Sequence, residues 1–293
     1  MLKMKKMPLL VLAGFLPGLI SISGCNAAPT PSDDDRIVAA VSIMPEKAFV
    51  EAVCGDLAEI VVLIPPGYSP ASYELSPNQM ASFRNADIYF TIGVNAEESS
   101  LLPVAAESKE LIIVNLHEAV REKYPEIEIA DGQRDQHIWL SPKRVIVMIQ
   151  EIADRLSESD PENTMTYKAN AARYISSLME LDARIREKLS GIDNRSFIVF
   201  HPAFGYLADD YGLEMYALEE SGKEASPQRI RELVDLALEE EIRVVFYQAE
   251  ISSRQVQSFA EEIGAELVQL DPLSEDYIEN LDIITDLIIG GAK

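Results

Sequence analysis

The chain has 293 residues, 47% hydrophobic and 25% charged, enough for about two domains of ordinary globular composition and too apolar for a disordered chain. Acidic residues outnumber basic ones by 49 to 25, giving a net charge of −24. That excludes a nucleic-acid-binding surface, which needs clustered Lys and Arg, and fits a solvated surface or one that attracts cations.

The first elements read as an export signal. Lys3, Lys5 and Lys6 precede a short apolar stretch over 9–20, small residues over 21–24, and Cys25. The stretch is too short for a comfortable membrane span. Ile22-Ser23-Gly24-Cys25 is similar to a lipobox, so 1–24 are expected to be a signal peptide and Cys25 to carry a lipid. Residues 25–35, polar and Pro-containing, read as a tether. With only two cysteines no disulfide scaffold is expected, and Cys54, on an apolar helical face, reads as packed.

The body alternates strands with helices. Strands are expected over 37–43, 59–64, 87–92 and 111–116, with helices over 46–53 and 78–85 between them. A helix follows over 142–157, with Val145, Met148, Ile149, Ile152 and Leu156 at helical spacing. A longer one runs over 161–191, with Asp160 as N-cap, Pro161 in the first turn and an apolar stripe from Tyr167 to Leu189. The alternation then restarts, with strands over 196–200, 214–218, 242–248 and 266–270 and helices over 202–211, 227–240, 252–263 and 274–289. The fold class is therefore α/β: two lobes with parallel sheets, 36–160 and 192–293, joined by one long backbone helix, 161–191. A ligand in such a body is met beyond the carboxyl ends of the strands, in the cleft between lobes.

Polar residues collect at those ends. His117, His201, Glu250 and Asp271 follow predicted strands, and His137 precedes a helix. Two imidazoles and a carboxylate suit Zn²⁺ or Mn²⁺, although a histidine at a strand end also serves as a hydrogen-bonding or capping residue. The spacing contains no zincin motif.

Five segments carry a family resemblance: Pro66-Gly67-Tyr68-Ser69-Pro70-Ala71-Ser72-Tyr73-Glu74; Gln136-His137-Ile138-Trp139-Leu140-Ser141-Pro142; His201-Pro202-Ala203-Phe204-Gly205-Tyr206; Gly222-Lys223-Glu224 with Ser226-Pro227; and Leu270-Asp271-Pro272-Leu273. In this order they resemble the metal-binding lipoproteins, cluster A-I, of ABC transporters for zinc and manganese. The resemblance implies a monomeric, exported, lipid-anchored substrate-binding protein that performs no chemistry. It implies one divalent ion in the inter-lobe cleft, zinc or else manganese, passed to an ABC permease and its ATPase. Carried over, the ligands are His137, His201 and Asp271.

The family's first ligand, a histidine, is replaced by Ala71. Three consequences are open: water completes the site, a neighbour such as Glu74, Tyr73, Tyr68 or His117 reaches in, or metal binding is lost. The last would leave a metal-independent adhesin or interaction protein on the same fold. Glu250 stands where the family carries an acid, which orients a ligand or is simply solvated. The segment 118–134 has acids but no histidine, so no metal-collecting loop is expected.

Overall fold

The computed structural model describes residues 36–130, 132–220, 222–249 and 254–292. The leader, Cys25, the tether and Glu250 lie outside them.

β-Branched and apolar runs form the first lobe's sheet. Its strands are β1 (Ile37–Val41), β2 (Ala58–Val62), β3 (Ile88–Thr91) and β4 (Ile112–Asn115), all parallel in the order β2-β1-β3-β4. The helices α1 (Met44–Cys54), α2 (Pro77–Phe83), α3 (Leu102–Ala105) and α4 (Leu116–Arg121) lie between or after these strands, with a π-helical turn at Glu97–Leu101. A small antiparallel ribbon follows, β5 (Glu128–Ala130) with β6 (Gln133–Arg134). Cys54 is buried in the first lobe, and burial pushes its thiol up to about 11, so it stays protonated and unreactive.

Two helices connect the lobes. In α5 (Pro142–Ser159) the side chains of Val145, Met148, Ile149, Ile152 and Leu156 are buried, as their spacing requires, and the Ser141 hydroxyl caps the first turn through the Arg144 N–H at 3.4 Å. In α6 (Thr164–Leu189) Tyr167, Ala171, Leu178, Leu181, Ile185 and Leu189 are buried. Its 26 residues span about 39 Å at 1.5 Å each. The α-helix starts later than expected, because Pro161–Asn163 form a 3₁₀ turn. Asp160 does not cap it; its carboxylate instead accepts from the Asn163 amide (2.6 Å) and the Tyr167 hydroxyl (2.8 Å).

The second lobe repeats the plan with β7 (Ser196–Val199), α7 (Gly205–Tyr211), β8 (Glu214–Ala217), the ribbon β9 (Glu219–Glu220) and β10 (Lys223–Glu224), α8 (Pro227–Glu239), β11 (Val244–Gln248), α9 (Arg254–Ile263), β12 (Glu266–Leu270) and α10 (Tyr277–Gly291). Its sheet is parallel in the order β12-β11-β7-β8. The long helix α6 packs against α1 of one lobe and α10 of the other. One apolar core runs from the first sheet through α5 and α6 to α10, and a second lies under α8 and α9.

The lobes also meet through buried polar contacts. Arg144 of α5 and Asp210 of α7, each 1% exposed at the side chain, pair at 2.6 Å. Asp210 also accepts from Ser141 and Lys143, and the Arg144 guanidinium lies over the Tyr206 ring at 4.5 Å. The Trp139 indole donates to the Pro272 carbonyl (2.8 Å), and the Tyr277 hydroxyl donates to the Trp139 carbonyl (2.7 Å).

Two carboxyls are buried where β1 and β3 end. Glu46 accepts from the Ser42 N–H (2.8 Å); Glu97 accepts from the Ile92 and Gly93 N–H groups (2.9 and 2.7 Å) and from the Ser42 hydroxyl. Burial, then the charge of Glu97, raises Glu46 well above the ordinary carboxyl range. The folded state therefore holds a proton that the unfolded chain loses near pH ~4.3, and this contribution to stability is lost as pH rises above that value. Glu46→Gln removes the ionisation. The variant is expected to melt above wild type at pH 8, with the gap closing toward pH 5. Thermal melts of both proteins at the two pH values check this; a pH-independent gap would exclude Glu46 as the source.

Candidate metal centre

Strand register explains most of the site. Val199 of β7 stands opposite Ala217 of β8. Two residues beyond that pair, His201 and Glu219 emerge together at the carboxyl edge of the second sheet. There the Glu219 Oε2 lies 2.9 Å from His201 Nδ1.

His137 is brought to the same place by loop stitching. The Gly93 carbonyl accepts from Arg134, and Asn95 and Gln136 bond reciprocally, the Asn95 N–H donating to Gln136 Oε1 at 2.9 Å. Gly93 has φ +88, and a Cβ there would sit 2.7 Å from Arg134 Nη2, so both the backbone and the space require glycine. The Asp135 N–H donates to the Ile127 carbonyl (2.7 Å). The Asp135 carboxylate then takes both the backbone N–H of His137 (2.9 Å) and its Nδ1 (2.8 Å).

The two imidazoles meet across the cleft with Nε2 atoms 3.2 Å apart. Each Nδ1 faces a carboxylate, which favours the tautomer with the ring proton on Nδ1 and turns both Nε2 atoms toward the same space. In that tautomer two lone pairs at this distance repel unless a proton or a metal cation lies between them. Two nitrogens held at about 2.05 Å by a tetrahedral zinc stand about 3.3 Å apart, close to the spacing seen.

The other expected residues are placed differently. Ala71 lines the cleft cavity, of about 120 Å³, together with His137 and His201, and brings only its methyl group. Asp271 is exposed beside that cavity, next to Pro272 and Leu273 in its wall, and its Oδ1 accepts from the Leu273 N–H at 2.9 Å. Glu74 is exposed and away from the cavity wall; Tyr73 bonds to Gln79, and Tyr68 points its ring toward Tyr73. His117 belongs to the first turn of α4, because Asn115 caps that helix and ends the strand early. It packs against Gly93, away from the cavity; burial, then the charge of Arg134, lowers its pKa. Among the described residues no three His, Cys, Asp or Glu side chains converge closely enough to hold one ion. Trp139 is buried in the cavity wall with its ring 5.3 Å from that of His137.

Sequence reading missed Asp135 and Glu219. An acid two residues before a candidate histidine in a turn was a usable signal for Asp135; Glu219 needed the β7–β8 register.

Asp135 in turn leans on glycine. A Cβ at Gly205 would lie 2.3 Å from Asp135 Oδ2, so any other residue must displace the carboxylate that orients His137. Gly205→Ala is expected to lower affinity for a divalent ion about 10–100-fold, the usual cost of losing a partner behind a ligand. A competition titration checks it; unchanged affinity would mean His137 keeps its orientation without Asp135.

The model of one family, described as zinc-uptake complex component A, periplasmic, matches residues 38–290. The zinc-binding lipoprotein AdcA of Streptococcus pneumoniae is 29% identical over 283 residues, 92% of this chain and 56% of its own length. The chain therefore spans little more than half of that relative. A putative metal-binding protein of Chlamydia trachomatis is 28% identical over 249 residues, covering 82% of this chain and 86% of its own. The crystal structure of ZnuA is 33% identical and superposes with a TM-score of 0.83, covering 88% of this chain and all of the other.

Proposed function

The chain belongs to the zinc-uptake complex component A family, whose members are periplasmic binding components and not enzymes, and from that premise we propose that it binds one zinc ion between its lobes. His137 and His201 hold the ion through Nε2, with Asp135 and Glu219 fixing the ring orientations, while Asp271 stands exposed beside the cavity with its Oδ1 on the Leu273 N–H. The protein is exported, anchored by a lipid on Cys25, and delivers the ion to an ABC permease driven by its ATPase. The observation that carries this reading is the pair of carboxylate-backed imidazoles with Nε2 atoms 3.2 Å apart. Nitrogen donors favour zinc over manganese on intrinsic affinity.

Calorimetric titration of metal-stripped, tag-free protein with Zn²⁺ and Mn²⁺ tests it. One saturable zinc site per chain, of micromolar or tighter affinity and stronger than for manganese, is expected, and Ala71→His should tighten it. Absence of saturable binding of either ion would favour the metal-independent adhesin.

A further inference from the structure

We infer that the ion occupies this cleft as a complex with a small amino-acid-like chelator, whose amine and carboxylate fill the coordination positions the chain leaves open. This deepens the zinc-binding reading and rests on it. Zinc takes four donors, and the described residues bring together two imidazoles with no third ligating side chain. Ala71 faces the cavity with a methyl group where a donor could stand.

A bare ion needs no such cavity. The space of about 120 Å³ holds several waters, or one molecule of amino-acid size. Its wall also contains a guanidinium, Arg134. A fixed positive charge beside a dication is unfavourable by Coulomb's law unless an anion lies near both. Arg134 donates to the Gly93 and Asp135 carbonyls and has Glu126 3.6 Å from its Nε, which leaves N–H groups of its five for a carboxylate. The amides of Gln133 and Gln248 line the same space, and Val94 and Trp139 give it apolar faces for a side chain. Besides Glu219, whose carboxylate is engaged by His201 Nδ1, the wall offers one cation, neutral amides and apolar faces, which suit an amino acid with a single carboxylate better than a polycarboxylate such as citrate.

The test is equilibrium dialysis of metal-stripped protein with ⁶⁵Zn²⁺ and ¹⁴C-labelled L-histidine, separately and together, at one buffered free zinc concentration. Histidine retention is expected to be at least about tenfold greater with zinc than without, and by reciprocity histidine should raise zinc affinity by the same factor. Ala71→His, which fills the open position, is expected to retain zinc and release the labelled histidine. Zinc held without histidine would overturn the chelate and leave the zinc reading intact. Histidine held equally with and without zinc would also overturn it, as an amino-acid site independent of metal. Retention of neither would overturn the zinc reading itself.

Discussion

His201→Ala is expected to lower zinc affinity at least about 100-fold, or about 2.7 kcal/mol, and to leave the melting temperature of the metal-free protein within about 2 °C. The loss is large because few donors share the work. His137 would remain as the one imidazole in the cleft, and Asp271 is engaged with the Leu273 N–H. The stability effect is small because His201 is half-buried at the cavity wall and its main contacts are polar. Glu219→Gln grades the effect. Glutamine can still accept from Nδ1 but pushes less electron density into the ring, so a loss of about tenfold is expected. Competition with a fluorescent zinc chelator measures wild type, these two variants and His137→Ala. If His201→Ala and His137→Ala both bind as wild type does, the imidazole pair is not the site.

The lobes and the long helix were legible because their signals are long. Apolar stripes over α5 and α6 and β-branched runs in the strands repeat often enough to fix element type. The ribbons were not, since strands of two or three residues carry no period. His137 and His201 were legible through motifs that sit at strand and helix boundaries. Their partners were not, because Asp135 and Glu219 act through geometry that only the folded chain creates. His117 shows the converse. It follows β4 as His201 follows β7, each two residues beyond a registered pair, Thr91 with Asn115 and Val199 with Ala217. Yet β4 is the edge strand of its sheet and Leu116 begins a helix, so the ring turns onto Gly93 and not into the cleft.

Asp210→Ala is expected to cost about 3–5 kcal/mol of stability, since it leaves Arg144 charged and buried without its carboxylate. That is a large share of the roughly 5–15 kcal/mol available to a folded domain, and should shift the urea midpoint clearly downward. Removing both charges should cost far less: Arg144→Met with Asp210→Leu is expected to stay within about 2 kcal/mol of wild type, because the desolvation penalty disappears with the pair. The same contact bears on the site. Helix α7 presses on the segment 135–144 at two points, through Gly205 against Asp135 and through Asp210 against Ser141 and Arg144. His137 lies between those points. Loosening one end should let the Asp135–His137 unit shift, so Asp210→Ala, assayed where it is still folded, should also bind zinc about tenfold more weakly. A variant that is destabilised but binds zinc with wild-type affinity would show that the ion pair holds the lobes together without helping to orient the imidazole.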